Sequence, residues 1–430
     1  MSFKRYVRLL RGSPFYYSRG NYPRPVDLNR RRLLGRAVVG AGLLTLAPPL
    51  LTGCSSVMSS AKMAQLFGGK RSNIKSLGPL QDPDENGIRL PKGFVSRVVA
   101  RTNEQPVVDS GYTWHWAPDG GAVFAITGGG WIYVSNSEVS GGAGGVGALV
   151  FGVNGDLRNA YSVLQGTSRN CGGGKTPWGT WLSCEEVSDG HVWECDPEGI
   201  NTARRLDALG TFSHEAVAFD GANNQLYLTE DAEDGRLYRF TPAGKDAKGN
   251  PDLSSGVLEV AQLLEKDSNN VAWHAVMDPH AQHSPTRQQV KESTAFNGGE
   301  GIVYLDGRVF MVTKGDDRIW RYDIASQTMS VYYDAQTHPD AILTGVDNLT
   351  AVATGEIFAA EDGGDLQLVA ILPNKKLVPV LQVVDQPNSE IAGPAFNQHG
   401  NKLYFSSQRG KSGTSAGGIT YEISGPFFVN

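Results

Sequence analysis

Basic charge is scarce in most of this 430-residue sequence. Ten of its 39 Lys and Arg residues fall within the first 53 positions, which leaves 29 basic against 43 acidic side chains and a net charge of −14 beyond them. A surface of that sign repels nucleic acid and offers no basic stripe to follow a phosphate backbone. It suits a protein that binds several cations. Apolar runs are short as well. The run Ala37 to Leu51 has 15 residues with Gly and Pro inside it, too few for a comfortable membrane span. Gly142-Ala143-Gly144-Gly145-Val146-Gly147 matches G-x-G-x-x-G without a helix to follow, which argues against a dinucleotide site. Signals for helices are few, whereas glycine is abundant. It makes up 53 residues, about 12% against a usual ~7%, and implies many tight turns.

Asn29-Arg30-Arg31-Arg32-Leu33-Leu34 fits the twin-arginine export pattern, and the apolar run that follows ends in the lipobox Leu51-Thr52-Gly53-Cys54. Residues 1–53 therefore read as a signal peptide, Cys54 as the lipidated first residue of the mature chain, and 54–88 as a linker. The expected location is periplasmic or at the cell surface, with a lipid anchor to the membrane. Residues 89–430 form one globular domain.

That domain is a repeat. Six segments share one plan, an apolar strand, a polar pair, a Gly-rich turn and a second strand: Trp131–Phe151, Thr180–Cys195, Gln225–Phe240, Arg308–Tyr322, Glu356–Ile371 and Lys402–Ile423. Aligned on the strand, the last residue of the polar pair is Glu138, Glu186, Asp231, Lys314, Asp362 and Arg409, at steps of 48, 45, 83, 48 and 47. A long insertion around 255–296 accounts for the third step. Units of about 40–50 residues with several short strands predict an all-β fold, a six-bladed β-propeller. The unpaired strand Gly93–Arg101 is expected to complete the last blade and leave no open edge.

A preceding short strand joins each segment through a turn such as Asp119-Gly120, Asp306-Gly307, Thr354-Gly355 or His399-Gly400. The start of the first strand and the end of the second then share one face. The starts carry His115, Cys171, His214-Glu215, Glu300, Asp347-Asn348 and Gly393. One mouth is thus expected to collect Glu138, Glu185, Glu186, Glu215, Glu230, Asp231, Glu300, Asp347, Glu361 and Asp362. Carboxylates so crowded repel unless cations bind among them. Oxygen donors in this number suit Ca²⁺, and a thiolate adds a softer metal such as iron. Lys314 and Arg409 interrupt the acidic column. They read either as a clamp for an anionic substrate or as neutralising partners of nearby carboxylates.

Cys184 and Cys195 lie on facing strands of one hairpin, where a disulfide depends on the turn length. Cys171 is left over in a loop, either protected by a metal or buried and inert. In the insertion, His274, His280 and His283 with Asp278 read as a solvated loop or as a cap on the mouth.

The stretch Asn170-Cys171-Gly172-Gly173-Gly174-Lys175-Thr176-Pro177-Trp178-Gly179-Thr180-Trp181-Leu182-Ser183-Cys184-Glu185-Glu186 resembles the signature of PhoX-type bacterial alkaline phosphatases. Ser213-His214-Glu215-Ala216, Tyr227-Leu228-Thr229-Glu230-Asp231, Asn297-Gly298-Gly299-Glu300-Gly301, Glu361-Asp362-Gly363 and Ser406-Ser407-Gln408-Arg409-Gly410 extend the likeness from about Leu90 to the C-terminus. The resemblance implies a mixed Ca²⁺ and Fe³⁺ site that hydrolyses phosphomonoesters. It implies Cys171 and Glu186 as iron ligands, Glu215, Glu300 and Glu361 as further iron or calcium ligands, and Arg409 near the substrate phosphate. The expected partner is a small phosphate ester, with no nucleic acid and a monomeric state. Two other readings of the same carboxylates stay open: a calcium-dependent lactonase-like propeller, and a non-catalytic binding propeller that calcium only stabilises.

Overall fold

A computed structural model describes residues 69–264, 269–340 and 342–430. The twin-arginine and lipobox segments, with Cys54, lie outside these residues. Among the described residues, regular structure is strand apart from 3-10 turns of three residues. The fold is all-β and propeller-like.

Each repeat opens with an inner strand: Pro118–Ala125, Asn170–Lys175, His214–Asp220, Gly299–Leu305, Val346–Ala351 and Ile391–Phe396. From each, the chain meanders outward through antiparallel neighbours. The first, second and sixth repeats make separate four-stranded sheets, and the fifth a sheet of five strands. The third and fourth share one nine-stranded sheet. The insertion creates that fusion. Its strand Asn270–Ala275 pairs along Gly256–Leu264 and then meets Thr328–Asp334 through the pair Asn270–Thr328. In the sixth repeat, Val95–Arg101 pairs with Ile419–Ser424, so a strand from the start of the domain completes the last sheet. Residues read as linker also join the fold. Arg71–Ser72 pairs with Phe428–Val429, Ile88 at the linker's end pairs with Val383, and Ile74 and Ile88 are fully buried.

Period-two alternation sends one face of each sheet against the next sheet. Six apolar clusters result, each bridging two consecutive repeats, and the last joins the sixth repeat (Ala395, Tyr404) to the first (Tyr133, Phe151). Each large side chain so buried contributes about 1.5–3 kcal/mol.

Towards the centre, apolar packing gives way to backbone packing. A Cβ on Gly120 would lie 2.6 Å from the Cys171 carbonyl oxygen, on Gly172 2.5 Å from that of Glu215, on Gly301 2.6 Å from that of Asp347, and on Gly393 2.6 Å from that of Asp119. These glycines are required by space. Three of them keep ordinary φ and only Gly393 has a positive one, +63°. Gly120 corrects one sequence expectation. Asp119-Gly120 is not a hairpin turn but lies within the inner strand, whose turn falls instead between Ala125 and Trp131. Between the inner strands lies a cavity of about 370 Å³, lined by Ala122, Gly174, Val217, Ile302, Leu349 and Pro394, which narrows beside Glu215 to a recess of about 40 Å³.

Gly172→Ala should cost about 1–3 kcal/mol, because the atom it meets is backbone and cannot give. Gly244→Ala, whose Cβ meets nothing within 4 Å, should stay within about 0.5 kcal/mol of the parent. Denaturant unfolding of the two variants separates the outcomes.

Candidate metal centre

The mouth is built by one irregularity repeated six times. Every pairing of an inner strand with its neighbour carries a register shift: after Pro118, Asn170, His214, Gly299, Val346 and Ala392. A β-bulge leaves residues unpaired and re-aims their side chains. At the bulges stand Asp119, Cys171, Glu215, Glu300 and Asp347, and in the sixth repeat the corresponding residue is Ala392. Just beyond the adjoining pair, one backbone hydrogen bond recurs. The N–H groups of Glu138, Glu186, Asp231, Lys314, Asp362 and Gln408 donate to the carbonyls of Ala117, Arg169, Ser213, Gly298, Gly345 and Glu390, at 2.8–3.1 Å. The sixth member of the column is therefore Gln408, and Arg409 follows one residue later. The amide of Gln408 donates to Asp119 and Glu138.

Neighbouring residues on a strand face opposite ways. Glu185, Glu230 and Glu361 accordingly turn from the mouth and brace the loops behind it. Glu361 accepts the N–H groups of Thr344 and Gln367, both at 2.8 Å, and Glu185 accepts those of Ser168 and His191. Glu230 binds the Tyr238 hydroxyl at 2.8 Å and lies 3.2 Å from Arg287 of the insertion. The structure thus leaves Glu230 and Glu361 outside the ligand groups.

It brings the others together. Ligand atoms of Cys171, Glu186 and Glu215 lie within 4.8 Å of one another, as do those of Glu215, Glu300 and Asp347; of Asp119, Glu138 and Glu390; and of Asp347, Asp362 and Glu390. Asp231 adjoins Glu186. Asp119 and Glu390 are absent from the sequence expectation. Asp119 was read as a turn, and Glu390 precedes the inner strand, at the position that Arg169 takes in the second repeat. His115, expected at the mouth, is half-buried against Tyr112 and Ser135, its pKa pushed down to about 3 by desolvation.

Three cations stand at the rim. Arg169, in the left-handed region at φ 46°, reaches both Glu138 and Glu186 at 2.6 Å. Lys314 lies 2.8 Å from Glu300, 3.5 Å from Asp362 and 3.7 Å from Asp347. Arg409 lies 3.1 Å from Glu390 and 3.8 Å from Asp362. Against them stand nine carboxylates: Asp119, Glu138, Glu186, Glu215, Asp231, Glu300, Asp347, Asp362 and Glu390. Negative charge is left over in a buried place. Burial first, then neighbouring carboxylates, pushes Asp119 up to about 8 and Glu215, Glu300 and Glu390 well above the usual carboxylate range. Glu186 rises to about 9 through burial despite Arg169, and the Cys171 thiol is raised in the same way.

Glu215 shows what the site lacks. It is fully buried, and neither carboxylate oxygen has a hydrogen-bond partner. An orphaned carboxylate beside a thiol and three further carboxylates is a donor set made for a metal ion. Glu300 is partly answered: its Oε1 lacks a hydrogen bond of good angle, yet it lies 2.8 Å from the Lys314 ammonium, an ion pair by distance. The other cysteines take no part. Cys184 faces Val192 and Cys195 faces Trp181, which turns them to opposite sides of the sheet, so both are free and buried. His283 pairs with Asp278 on the exposed insertion, and His274 binds Gln262.

The family model of alkaline phosphatase PhoX matches residues 115–192 and 188–410. The chain belongs to that family. PhoX membership makes it a phosphatase enzyme of a metal-dependent family, and the side chains at the bulges bring ligand atoms close enough together to hold a metal ion. Pseudomonas fluorescens PhoX, solved in complex with vanadate, a transition state analogue, is similar in fold, with 17% identity over 81% of this chain and 97% of that one and a TM-score of 0.65. XC5397 from Xanthomonas campestris, a gluconolactonase, aligns at 11% identity over 81% and 98% of the two chains, with a TM-score of 0.44. A Bacteroides thetaiotaomicron protein of unknown function aligns at 9% over 81% and 83%, with a TM-score of 0.48. No curated protein matches in sequence.

Two outcomes are expected. Glu361→Gln should lower stability by about 1–3 kcal/mol, because its amide cannot accept both N–H groups, while elemental analysis finds the metal content of the parent. Metal-free protein should lose stability as pH rises from about 4, the unfolded carboxyl value, through about 8–9, the raised values of Asp119 and Glu186. Over that window the folded state holds protons that the unfolded state has released. Added metal, by replacing those protons, should restore most at the alkaline end of a melting series.

Proposed function

We propose that this chain is an exported, lipid-anchored, six-bladed propeller phosphatase that hydrolyses phosphomonoesters at a mixed calcium and iron site. Six inner strands, six bulges and six inter-repeat apolar clusters support the blade count. On this reading the nine-stranded sheet is two blades joined at one residue pair. The export and anchoring assignment rests on the twin-arginine and lipobox motifs.

The observation that carries the reading is Glu215, buried and unpartnered between two ligand groups. On one side, Cys171 and Glu186 supply a thiolate and a carboxylate suited to iron. On the other, Glu300 and Asp347 are oxygen donors suited to calcium, as are Asp119, Asp362, Glu138 and Glu390 beyond them. When bound, such ions supply Lewis acidity and offset the charge of a phosphoryl group.

The chain's own residues do the rest. The bulges hold the donors rigidly, since backbone packed against glycine cannot shift. Arg409, about a third exposed at the rim, is the guanidinium that meets an incoming phosphate, its fork matched to two phosphoryl oxygens. Lys314 adds positive charge beside it. Glu138 and Glu186 hold Arg169 in place, so a third cation faces solvent.

Protein purified through its native export route should contain iron with calcium, and chelation should abolish turnover of a phosphomonoester. Glu186→Gln should lose iron and activity together. Arg409→Ala should keep both metals and weaken catalysis by about 2–4 kcal/mol, the scale for loss of one donor to a transition-state oxyanion. Full activity in metal-stripped protein would sink the proposal.

A further inference from the structure

We propose that the Lys314 ammonium is a tethered cation that takes the place of one divalent ion in the ring of carboxylates. The inference rests on the reading of the mouth as a metal site. At this column position the other repeats carry Glu138, Glu186, Asp231 and Asp362, with the neutral Gln408 in the sixth. Lys314 alone is cationic. Its backbone is fixed by the same bond that fixes the others, N–H to the Gly298 carbonyl at 2.8 Å. The side chain therefore starts from a position the fold sets, where its neighbours deliver ligands.

From there Nζ enters a pocket of acceptors. Glu300 comes from its own repeat, and Asp347 and Asp362 come from the next, at 2.8, 3.7 and 3.5 Å. Glu300 and Asp347 are buried, so their charge needs an answer that water cannot give. Three carboxylates from two repeats converging on one point are the surroundings of a bound cation, and here the cation is covalently attached. Glu300 and Asp347 also belong to the group completed by the orphaned Glu215. A second divalent ion on the Lys314 side of those residues would lie close to the first and repel it. A single positive charge answers the same carboxylates at lower mutual repulsion. Lysine suits this place because its ammonium is a compact point charge, within 3.7 Å of all three carboxylates and hydrogen-bonded to Asp362.

Lys314→Gln and Lys314→Arg test this by elemental analysis and by melting with and without calcium. Lys314→Gln should hold one more equivalent of calcium per chain than the parent, and should melt lower without calcium and recover with it. Lys314→Arg, which keeps the charge, should hold the parent's count. Folding of Lys314→Gln only in the presence of calcium is the same result in stronger form. Equal or lower calcium in Lys314→Gln, a raised count in Lys314→Arg, or a Lys314→Gln chain that calcium cannot rescue while Lys314→Arg folds, overturns the proposal. The comparison is between variants and so stands apart from the phosphatase reading. A parent without iron or turnover, whose Lys314→Gln variant still gains calcium, sinks that reading alone. An active, metal-loaded parent whose variant gains nothing sinks this one alone.

Discussion

Where the six inner strands converge, backbone lies against backbone so closely that a single added carbon on Gly120, Gly172, Gly301 or Gly393 has no room. That contact sets the radius of the centre, and the radius sets the chemistry. Side chains on bulges at so small a radius cannot spread apart, so Asp119, Cys171, Glu215, Glu300 and Asp347 are held within reach of their neighbours whether or not their charges agree. Burial then raises the cost of each charge. The rim cations, the amide of Gln408 and the capacity for metal all answer a conflict that packing creates.

Strand alternation divides the labour. Of each polar pair, one residue faces the mouth and the other grips the loops behind it. Glu186 and Glu185, or Asp362 and Glu361, differ in function although they are neighbours of the same chemical type. Glu185 and Glu361 use their oxygens on backbone N–H groups and Glu230 on Tyr238 and Arg287, so the outward residue becomes part of the frame. The inward residue is left with oxygens to offer.

Much of this was legible in the sequence. The period located every repeat, the strand that completes the sixth sheet, and the charged column, because strand spacing is a property of local pattern. What stayed hidden depends on register. A bulge skips residues without a mark in composition, so Asp119 read as part of a turn and Arg409 took the place of Gln408. The assignment of Glu361 and Glu230 to the metal failed to anticipate which way each member of a pair would face. Glu390 and Arg169 lie before their inner strands, outside the aligned segments, and no spacing pointed to them. The fusion of two sheets through Asn270–Ala275 came from an insertion that looked like loop.

The strand Val95–Arg101 closes the last sheet against Ile419–Ser424, and Gly393 of the sixth repeat packs on Asp119 of the first. During synthesis these partners are separated by nearly the whole domain. Early repeats can stack as they emerge, but the circle has no fixed radius until the final strand arrives. The ligand groups that span the first and last repeats, Asp119 and Glu138 with Glu390, do not exist before then. That group of carboxylates is therefore assembled last, and its completion reports that the whole polypeptide has been made and closed.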